Sequence, residues 1–320
     1  MINKENKENL IIISGPTASG KSALSIDLAK EINGSVISAD SMQVYKGMDI
    51  GSAKITADEM QGIKHYLIDI IDPKDEFNIT LFKEYARNSM LDIYKENKIP
   101  IIVGGTGFYI QSLLYDIDFD EIASENASIR EELTKIANEK GNEYLHSMLQ
   151  EVDPVSANDI HPNNLKRVIR AIEFYRLTGQ KISDHNEEQH KKESPYNYKY
   201  FVININRDLL YQNIDKRVDM MIEKGLVDEV LKLKNAGFNR NFVSMQGLGY
   251  KEILDYLDNK ISLEEATQII KRDTRHFAKR QITWFKREKN VTWINKEEFD
   301  FDDNKIINFM KEQLSIEGII

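Results

Sequence analysis

The chain has 320 residues, enough for one large α/β domain or two smaller ones. Its 41% hydrophobic and 30% charged residues are typical of an ordered globular protein. No apolar run approaches the length of a membrane span, and the polar N-terminus lacks a secretory core, so neither a membrane segment nor export is expected. The lack of cysteine excludes disulfides and thiolate zinc sites, which makes the cytoplasm the simplest compartment. The net charge of −9 argues mildly against a nucleic-acid partner but says nothing about local patches.

The first predicted elements are a buried strand at 10–14 and a helix at 22–31. Between them, GPTASGKS at 15–22 matches the phosphate-binding pattern G-x-x-x-x-G-K-[ST], which directs backbone N–H groups at phosphate oxygens. The residues predicted to bind a diphosphate or nucleotide are Gly15, Pro16, Thr17, Ala18, Ser19, Gly20, Lys21 and Ser22. Lys21 is expected to bind the terminal phosphate, and the hydroxyl of Ser22 is expected to bind Mg²⁺, the one predicted cofactor.

A second strand is predicted at 35–39, and Asp40 follows it directly. Ligands of parallel α/β sheets bind outside the carboxyl ends of the strands, so Asp40 is expected to face the same crevice as the phosphate-binding loop. Two interpretations remain open at this point. Asp40 could act as a general base or a carboxylate near the magnesium ion, or it could cap a turn.

A helix at 80–97 and a third strand at 100–103 follow, and the strand ends in Gly104-Gly105-Thr106. An ATP-hydrolysing motor often has an acidic residue at this place. The glycines therefore disfavour such a motor and favour a loop that lets another group approach the phosphates. Thr106 could hydrogen-bond a substrate or could be a simple turn residue.

From 120 to about 177 the strand signals stop, and amphipathic helices are predicted with breaks at Gly141, Pro154 and Pro162. Residues 180–198 are polar and without periodicity, which is typical of an exposed connection, and a strand resumes at 199–206. The sequence thus predicts an α/β fold with a P-loop parallel sheet and flanking helices. This core is expected to comprise 1–119 and 199–320, with an all-helical insertion domain at 120–198.

The remaining segments are predicted to be helical as far as about residue 289. The helix opened by Arg207 places Arg217 beside an apolar face, where its guanidinium could bind a diphosphate or could be solvated. Ser262 and Glu265 form a capping box for a long helix whose core face is predicted to hold Ile270, Phe277 and Trp284. Its basic residues could contact a nucleic-acid backbone or form a solvated surface: Arg272, Arg275, Lys279, Arg280, Lys286 and Arg287.

Taken together, these segments resemble the bacterial tRNA dimethylallyltransferases, also called tRNA isopentenyltransferases. The resembling blocks span nearly the whole chain and, in this order, are highly specific. They are GPTASGKS at 15–22, ISADSMQVYKGMDIGSAK at 37–54, IPIIVGGTGFYI at 99–110, DPVSANDIHPNNLKRVIRAIE at 153–173, QGLGYKEI at 246–253 and AKRQITWFK at 278–286. The departures are small: Ile55 replaces the usual proline, and Lys46 replaces a frequent arginine.

The resemblance implies transfer of a dimethylallyl group from dimethylallyl diphosphate to N6 of the adenosine 3′ of the anticodon in tRNA, which gives N6-isopentenyladenosine. It implies catalytic roles for Asp40 as general base, for Lys21 and Arg217 at the leaving diphosphate, and for Thr106 at the substrate. It also implies ATP binding by the loop, although the expected working ligand is the prenyl diphosphate. A monomer without membrane association is expected.

The resemblance further implies that the anticodon stem-loop is the RNA partner. The residues expected to contact tRNA are Asp40, Ser41, Met42, Gln43, Thr106, Arg130, Asn164, Lys166, Arg167, Gln246, Gly247, Gly249, Tyr250, Lys251, Arg275, Lys279, Arg280 and Gln281. Two other functions are compatible with the phosphate-binding loop alone. One is a kinase that transfers the γ-phosphate of ATP to a small metabolite, and the other is a non-catalytic, RNA-binding NTPase switch.

Overall fold

The structure, a computed structural model, describes residues 7–117 and 127–320. Its sheet has six parallel strands in the order β3-β2-β4-β1-β5-β6. The strands are β1 (Asn9–Ser14), β2 (Gly34–Ser38), β3 (His65–Tyr66), β4 (Ile99–Gly104), β5 (Asn197–Asn204) and β6 (Val291–Asn295). The predicted α/β class with a parallel sheet is confirmed. The short edge strands β3 and β6 were missed because neither has a continuous apolar run.

Helices account for most of the remaining described residues, and none of them is long and apolar enough to cross a membrane. They are α1 (Lys21–Glu31), α2 (Ala57–Met60), α3 (Ile79–Lys95), α4 (Gly107–Leu114), α5 (Ala127–Lys140), α6 (Asn142–Val152), α7 (Pro154–Asp159), α8 (Leu165–Thr178), α9 (Ile182–Lys191), α10 (Arg207–Glu223), α11 (Leu226–Asn235), α12 (Tyr250–Leu257), α13 (Leu263–Phe285) and α14 (Asp303–Ile316).

Strand β1 lies at the centre of the fold and pairs with β4 on one side and β5 on the other. Its apolar side chains are buried, because helices cover the sheet, and this produces the continuous hydrophobic run seen in the sequence. Leu24 and Leu28 of α1 pack in the same core cluster as Ile306 and Met310 of α14. The carboxyl ends of β1, β2 and β4 consequently lie at one edge of the sheet.

The chain divides into two compact units. One comprises Met1–Leu113 with Pro195–Ile320, and the other comprises Leu114–Ser194. The first, which we call the sheet unit, contains the strands; the second, the helical unit, contains α5–α9. The insertion was expected to begin at residue 120, which lies outside the described residues. The expectation of an exposed connection at 180–198 is wrong for Ile182–Lys191, which form α9.

A buried aspartate explains why a polar segment such as α9 is helical. Asp153 is fully buried and is the N-cap of α7, where its carboxylate accepts hydrogen bonds from the backbone N–H and hydroxyl of Ser156. The same carboxylate accepts two more from the N–H and hydroxyl of Ser183 in α9. Burial acts to raise the pKa of Asp153, but these four hydrogen bonds together hold the pKa below its usual value.

We predict that Asp153→Ala destabilises the helical unit by about 2–4 kcal/mol, because it leaves the Ser156 and Ser183 donors without their acceptor. Hydrogen–deuterium exchange of the α7 and α9 amides measures this loss as reduced protection. Asp159→Ala, at an exposed position of α7, is the control and is expected to change stability by less than about 0.5 kcal/mol. Equal protection in the two variants would show that the buried carboxylate does not hold the two helices.

Candidate active site

The phosphate-binding motif forms the loop between β1 and α1. Ala18 (φ 65°) and Gly20 (φ 88°) both adopt left-handed conformations, so the chain turns sharply before α1 begins at Lys21. The ammonium of Lys21 donates to the carbonyl oxygen of Pro16 at 3.3 Å, which places the charge over the loop. Ser22 is exposed in the first turn of α1. The loop therefore presents a cation, a hydroxyl and a helix N-terminus to one ligand, an arrangement suited to a polyphosphate.

Arg217 of α10 lies against this loop. Its Nη1 donates to Oγ1 of Thr17 at 3.3 Å. One helical turn earlier, Nδ2 of Asn213 donates to the carbonyl oxygen of Ala18 at 3.5 Å. The sequence left two interpretations of Arg217 open, namely diphosphate binding and a solvated position. The structure places its guanidinium at the phosphate-binding loop. Asn213 was missed, although its position four residues before Arg217 puts both side chains on one face of the helix.

The two cations at the loop are only partly exposed to solvent. The pKa of Lys21 is lowered to about 8, first by removal of its ammonium from water and then by the positive charge of Arg217, while Asp40 acts in the opposite direction. Burial likewise lowers the pKa of Arg217, although Asp40 acts to raise it. Two partly buried cations beside one carboxylate leave an excess of positive charge at the loop. A bound diphosphate would neutralise this excess.

Asp40 lies at the end of β2 and is electrostatically coupled to both cations. Its Oδ1 accepts hydrogen bonds from the backbone N–H groups of Met42 at 2.8 Å and Gln43 at 3.3 Å. One oxygen of the carboxylate thus caps a turn, as one of the two interpretations of the sequence proposed. Within residues 7–117 and 127–320, Oδ2 makes no hydrogen bond. The cap therefore orients the carboxylate through one of its two oxygens.

The end of β4 lies close to the end of β2. The backbone N–H of Thr106 donates to the carbonyl oxygen of Ala39 at 3.4 Å, which brings Thr106 next to Asp40 in the fold. Gly105 has a specific steric role, because a Cβ there would lie only 2.1 Å from Nε2 of Gln281. Gly105 therefore admits the side chain of Gln281, whereas the approach of another group to the phosphates at these glycines stays a prediction.

Gln281 differs from its expected role. The residue is only 6% exposed, so its side chain is not available to tRNA. Its Oε1 accepts from the backbone N–H of Thr17 at 2.9 Å, and its Nε2 donates to the carbonyl oxygen of Gly105 at 3.0 Å. Gln281 therefore joins the phosphate-binding loop to the loop after β4. Its expected tRNA contact came from the family resemblance, which covers the AKRQITWFK block at 278–286.

Tyr250 was also expected to contact tRNA, but the structure buries it. Its ring is fully buried, and its hydroxyl donates to Oε1 of Glu229 at 2.8 Å. Burial and the nearby Glu229 carboxylate raise the pKa of Tyr250 well above its usual value. The same carboxylate accepts from the backbone N–H groups of Asp49, Ile50 and Gly51. Glu229 was missed because no local pattern links α11 to a loop so distant in the sequence.

The other residues of the turn at 246–251 lie near the segment that follows Asp40. A Cβ at Gly247 would lie 2.4 Å from Cε of Met42, so the two segments are in close contact. Gln246 is exposed, and Lys251 is partly exposed and pairs with Glu252 at 3.5 Å. The amide of Gln43 is bound internally, to the hydroxyl of Ser38 and the carbonyl oxygen of Ala53. Ser41 and Met42 remain partly exposed, whereas Gly249 is buried.

Helix α13 has the predicted capping box, and Ile270 is buried as predicted, but the rest of its buried face differs from the prediction. The buried residues are Ala266, Ile270, Ala278, Gln281 and Phe285. Phe277 and Trp284 are only partly buried, so their prediction as core residues is wrong. Three basic residues of α13 were expected to contact RNA. Arg275 forms a salt bridge with Asp215 at 2.5 Å, whereas Lys279 and Arg280 are exposed.

The helical unit has a basic group of its own. Asn164, Lys166 and Arg167 are exposed around the start of α8. Arg130 of α5 pairs at 2.8 Å with Glu173, whose side chain is almost entirely buried. An aliphatic core, which includes Leu133, Leu145, Leu149, Val168 and Ile172, supports these positions.

No group of three or more carboxylate or imidazole side chains that could hold a metal ion occurs within 7–117 and 127–320. A magnesium ion at a phosphate-binding loop needs few protein ligands, because phosphate oxygens and water supply the others. The exposed hydroxyl of Ser22 fits such a site.

The parallel sheet and the phosphate-binding motif between β1 and α1 define an α/β protein of the P-loop class. Residues 43–288 match the family described as IPP transferase. The chain belongs to this family. It is 57% identical to the tRNA dimethylallyltransferase of Lachnoclostridium phytofermentans over 94% of this chain and 96% of that protein.

Two solved structures support the same assignment. The tRNA isopentenylpyrophosphate transferase of Bacillus halodurans is 44% identical, with a TM-score of 0.73 and coverage of 98% of both chains. A eukaryotic dimethylallyltransferase described as acting on tRNA is 33% identical, with a TM-score of 0.76 over 90% of this chain and 74% of that one.

We predict that the protein binds inorganic diphosphate and that affinity falls as the pH rises through about 8, where Lys21 loses its proton. Lys21→Arg is the matched variant, because arginine stays charged over this range and should retain affinity at higher pH. Calorimetric titrations from pH 6.5 to 9.5 measure the effect. Parallel pH profiles for the two proteins would show that the decline belongs to the ligand or to another group.

Proposed function

We propose that the protein is a tRNA dimethylallyltransferase. It transfers the dimethylallyl group of dimethylallyl diphosphate to N6 of the adenosine on the 3′ side of the anticodon, and the product is N6-isopentenyladenosine. One observation from the structure supports this reaction above the others. Lys21 and Arg217 both make hydrogen bonds to the phosphate-binding loop, and the charge of Asp40 acts on both, so two partly buried cations lie near one carboxylate.

Lys21 and Arg217 are proposed to stabilise the negative charge of the leaving diphosphate. When the allylic C–O bond breaks, negative charge grows on the diphosphate, and charges already fixed around it stabilise the transition state more than the ground state. Lys21 and Arg217 have lost part of their hydration before the substrate arrives, so they interact strongly with that charge. Mg²⁺ at the Ser22 hydroxyl would supply further positive charge to the same oxygens.

The carboxylate of Asp40 is proposed to act as the general base for the attacking N6 amine. The N6 amine is weakly nucleophilic, because its lone pair is delocalised into the adenine ring. Oδ2 of Asp40 accepts a proton from N6 as nitrogen bonds to the allylic carbon and diphosphate leaves with the electron pair of the C–O bond. Thr106 is proposed to hydrogen-bond the adenosine, and the hydrogen bond from its backbone to the residue that precedes Asp40 supports this role.

The RNA must present an unstacked base to this site. The adenosine has to leave the anticodon stack, so base flipping is part of the proposal. Lys279 and Arg280 on the sheet unit, and Lys166 and Arg167 on the helical unit, are proposed to bind the backbone of the anticodon stem-loop. The net charge of −9 is compatible with this because the positive charge is local. We further propose that the protein acts as a monomer in the cytoplasm, where tRNA is found.

Incubation with labelled dimethylallyl diphosphate, Mg²⁺ and unmodified tRNA tests the reaction. We expect label in the RNA, and we expect Asp40→Asn to reduce turnover by about 10²–10⁴-fold with little change in diphosphate binding, because an amide cannot accept the proton. Label that enters no RNA would refute the proposal. Phosphate transfer from ATP would favour a kinase, and nucleotide-dependent RNA binding without a covalent product would favour a switch. If the turnover rate of the Asp40→Asn variant lies within a few-fold of the wild-type rate, Asp40 caps the turn and is not the general base.

The RNA contacts on α13 have a separate test. Replacing Lys279 and Arg280 with alanine should reduce the slope of log affinity for tRNA against log salt by about 1.4–1.8, at about 0.7–0.9 for each phosphate contact. Arg275→Ala is the comparison and should change the slope less, because Arg275 is already paired with Asp215. Filter-binding titrations at several salt concentrations measure the slope. An unchanged slope in the double variant would mean that these cations are merely solvated.

A further inference from the structure

Gln281 is the buried polar side chain that connects the two loops of the proposed active site. On one side it accepts from the N–H of Thr17, and on the other it donates to the carbonyl oxygen of Gly105. Both bonds have ordinary lengths, 2.9 Å and 3.0 Å, and the side chain is almost completely shielded from solvent. A primary amide suits this place because it supplies one acceptor and one donor at a fixed spacing.

The two backbone groups that Gln281 binds lie next to groups with proposed roles in the reaction. Thr17, whose N–H it holds, also accepts the hydrogen bond from Arg217 at the leaving-group side. Gly105 directly precedes Thr106 at the acceptor side. Gln281 therefore spans the distance between the group that holds the diphosphate and the group that is placed to hold the adenosine.

A second contact joins α13 to the phosphate-binding loop. Ala278 is fully buried and packs in the same small cluster as Ala18 of the loop and Ile214 of α10. Ala278 and Gln281 lie three residues apart and thus on one face of α13. The exposed Lys279 and Arg280 lie between them in the sequence and point away from that face. The helix proposed to bind RNA is thus the same helix that fixes the geometry of the loop.

We propose that Gln281 is a positioning residue for prenyl transfer and does not contact RNA. It sets the separation of the diphosphate-binding loop from the loop that carries Thr106, and so determines how closely the allylic carbon approaches N6. The inference rests on the proposed function. A displacement of about 1 Å at reacting atoms lowers rates by about 10²-fold, so loss of this bridge should appear in kcat.

Gln281→Met tests the inference, because methionine keeps the volume and removes both hydrogen bonds. We expect kcat to fall about 10–100-fold, while the dissociation constant for tRNA and its salt dependence stay within twofold of wild type. Gln268→Met, at an exposed position of the same helix, is the control and should leave every parameter unchanged. A loss of tRNA affinity equal to the loss of rate would mean that Gln281 contacts RNA. Unchanged kcat would also overturn the inference.

Gly105→Ala provides a second test that retains the glutamine. The added methyl group would lie 2.1 Å from Nε2 of Gln281 and must displace the amide, so the same reduction in kcat with unchanged tRNA affinity is expected. If Gln281→Met does not fold, the Gly105→Ala variant still tests the inference. A wild-type kcat in Gly105→Ala would show that Gln281 does not position the two loops for the reaction. A wild-type protein that transfers no label would instead refute the proposed function, so the two failures are distinguishable.

Discussion

The parallel pairing of β2, β4 and β1 is the constraint on which the site depends. Because neighbouring strands run in one direction, their carboxyl ends meet at one edge, and the chain segments that leave them are neighbours without further cost. Asp40 follows β2, Thr106 follows β4, and the phosphate-binding loop follows β1. Antiparallel pairing of any of these strands would carry its terminal residue to the opposite edge of the sheet. Helices α10 and α13 then add Arg217 and Gln281 to an edge that the sheet has already defined.

At this edge of the sheet the single negative charge of Asp40 does not neutralise the two positive charges of Lys21 and Arg217. Partial burial lowers the pKa of both Lys21 and Arg217, and the negative charge of Asp40 opposes this shift in each case. A site of this kind is costly while it is empty and is stabilised when a dianionic or trianionic group enters. The same balance explains how a protein with an acidic surface overall can hold a strongly anionic ligand.

The sequence was informative wherever the signal was local. The strand, loop and helix around Lys21 and the position of Asp40 after its strand follow from apolar runs and glycine spacing, and the structure has them. The second role of Asp40, as a turn cap, was also anticipated. The core face of α13 was assigned incorrectly because a spacing of seven drifts relative to the 3.6-residue turn, and Phe277 and Trp284 therefore leave the buried face.

Long-range contacts could not be predicted from one sequence. Glu229 holds a loop nearly 180 residues away through three backbone N–H groups, and no periodicity or composition marks it. Gln281 lies 264 residues from Thr17, and the family resemblance suggested an RNA contact instead. In both cases the partner is a backbone group. Backbone groups are present at every position, so they leave no trace in the pattern of side chains.

The insertion of the helical unit between β4 and β5 has a consequence for how the protein folds. Strand β1 pairs with β4 and with β5, yet the whole helical unit separates these two partners along the chain. Pairing of β1 with β5 closes a very long loop, and contacts of high sequence separation form slowly. During synthesis β1, β2 and β4 emerge first and can assemble while one side of β1 still exposes unpaired N–H and C=O groups. The growing chain must keep that open edge from pairing with other chains until β5 arrives.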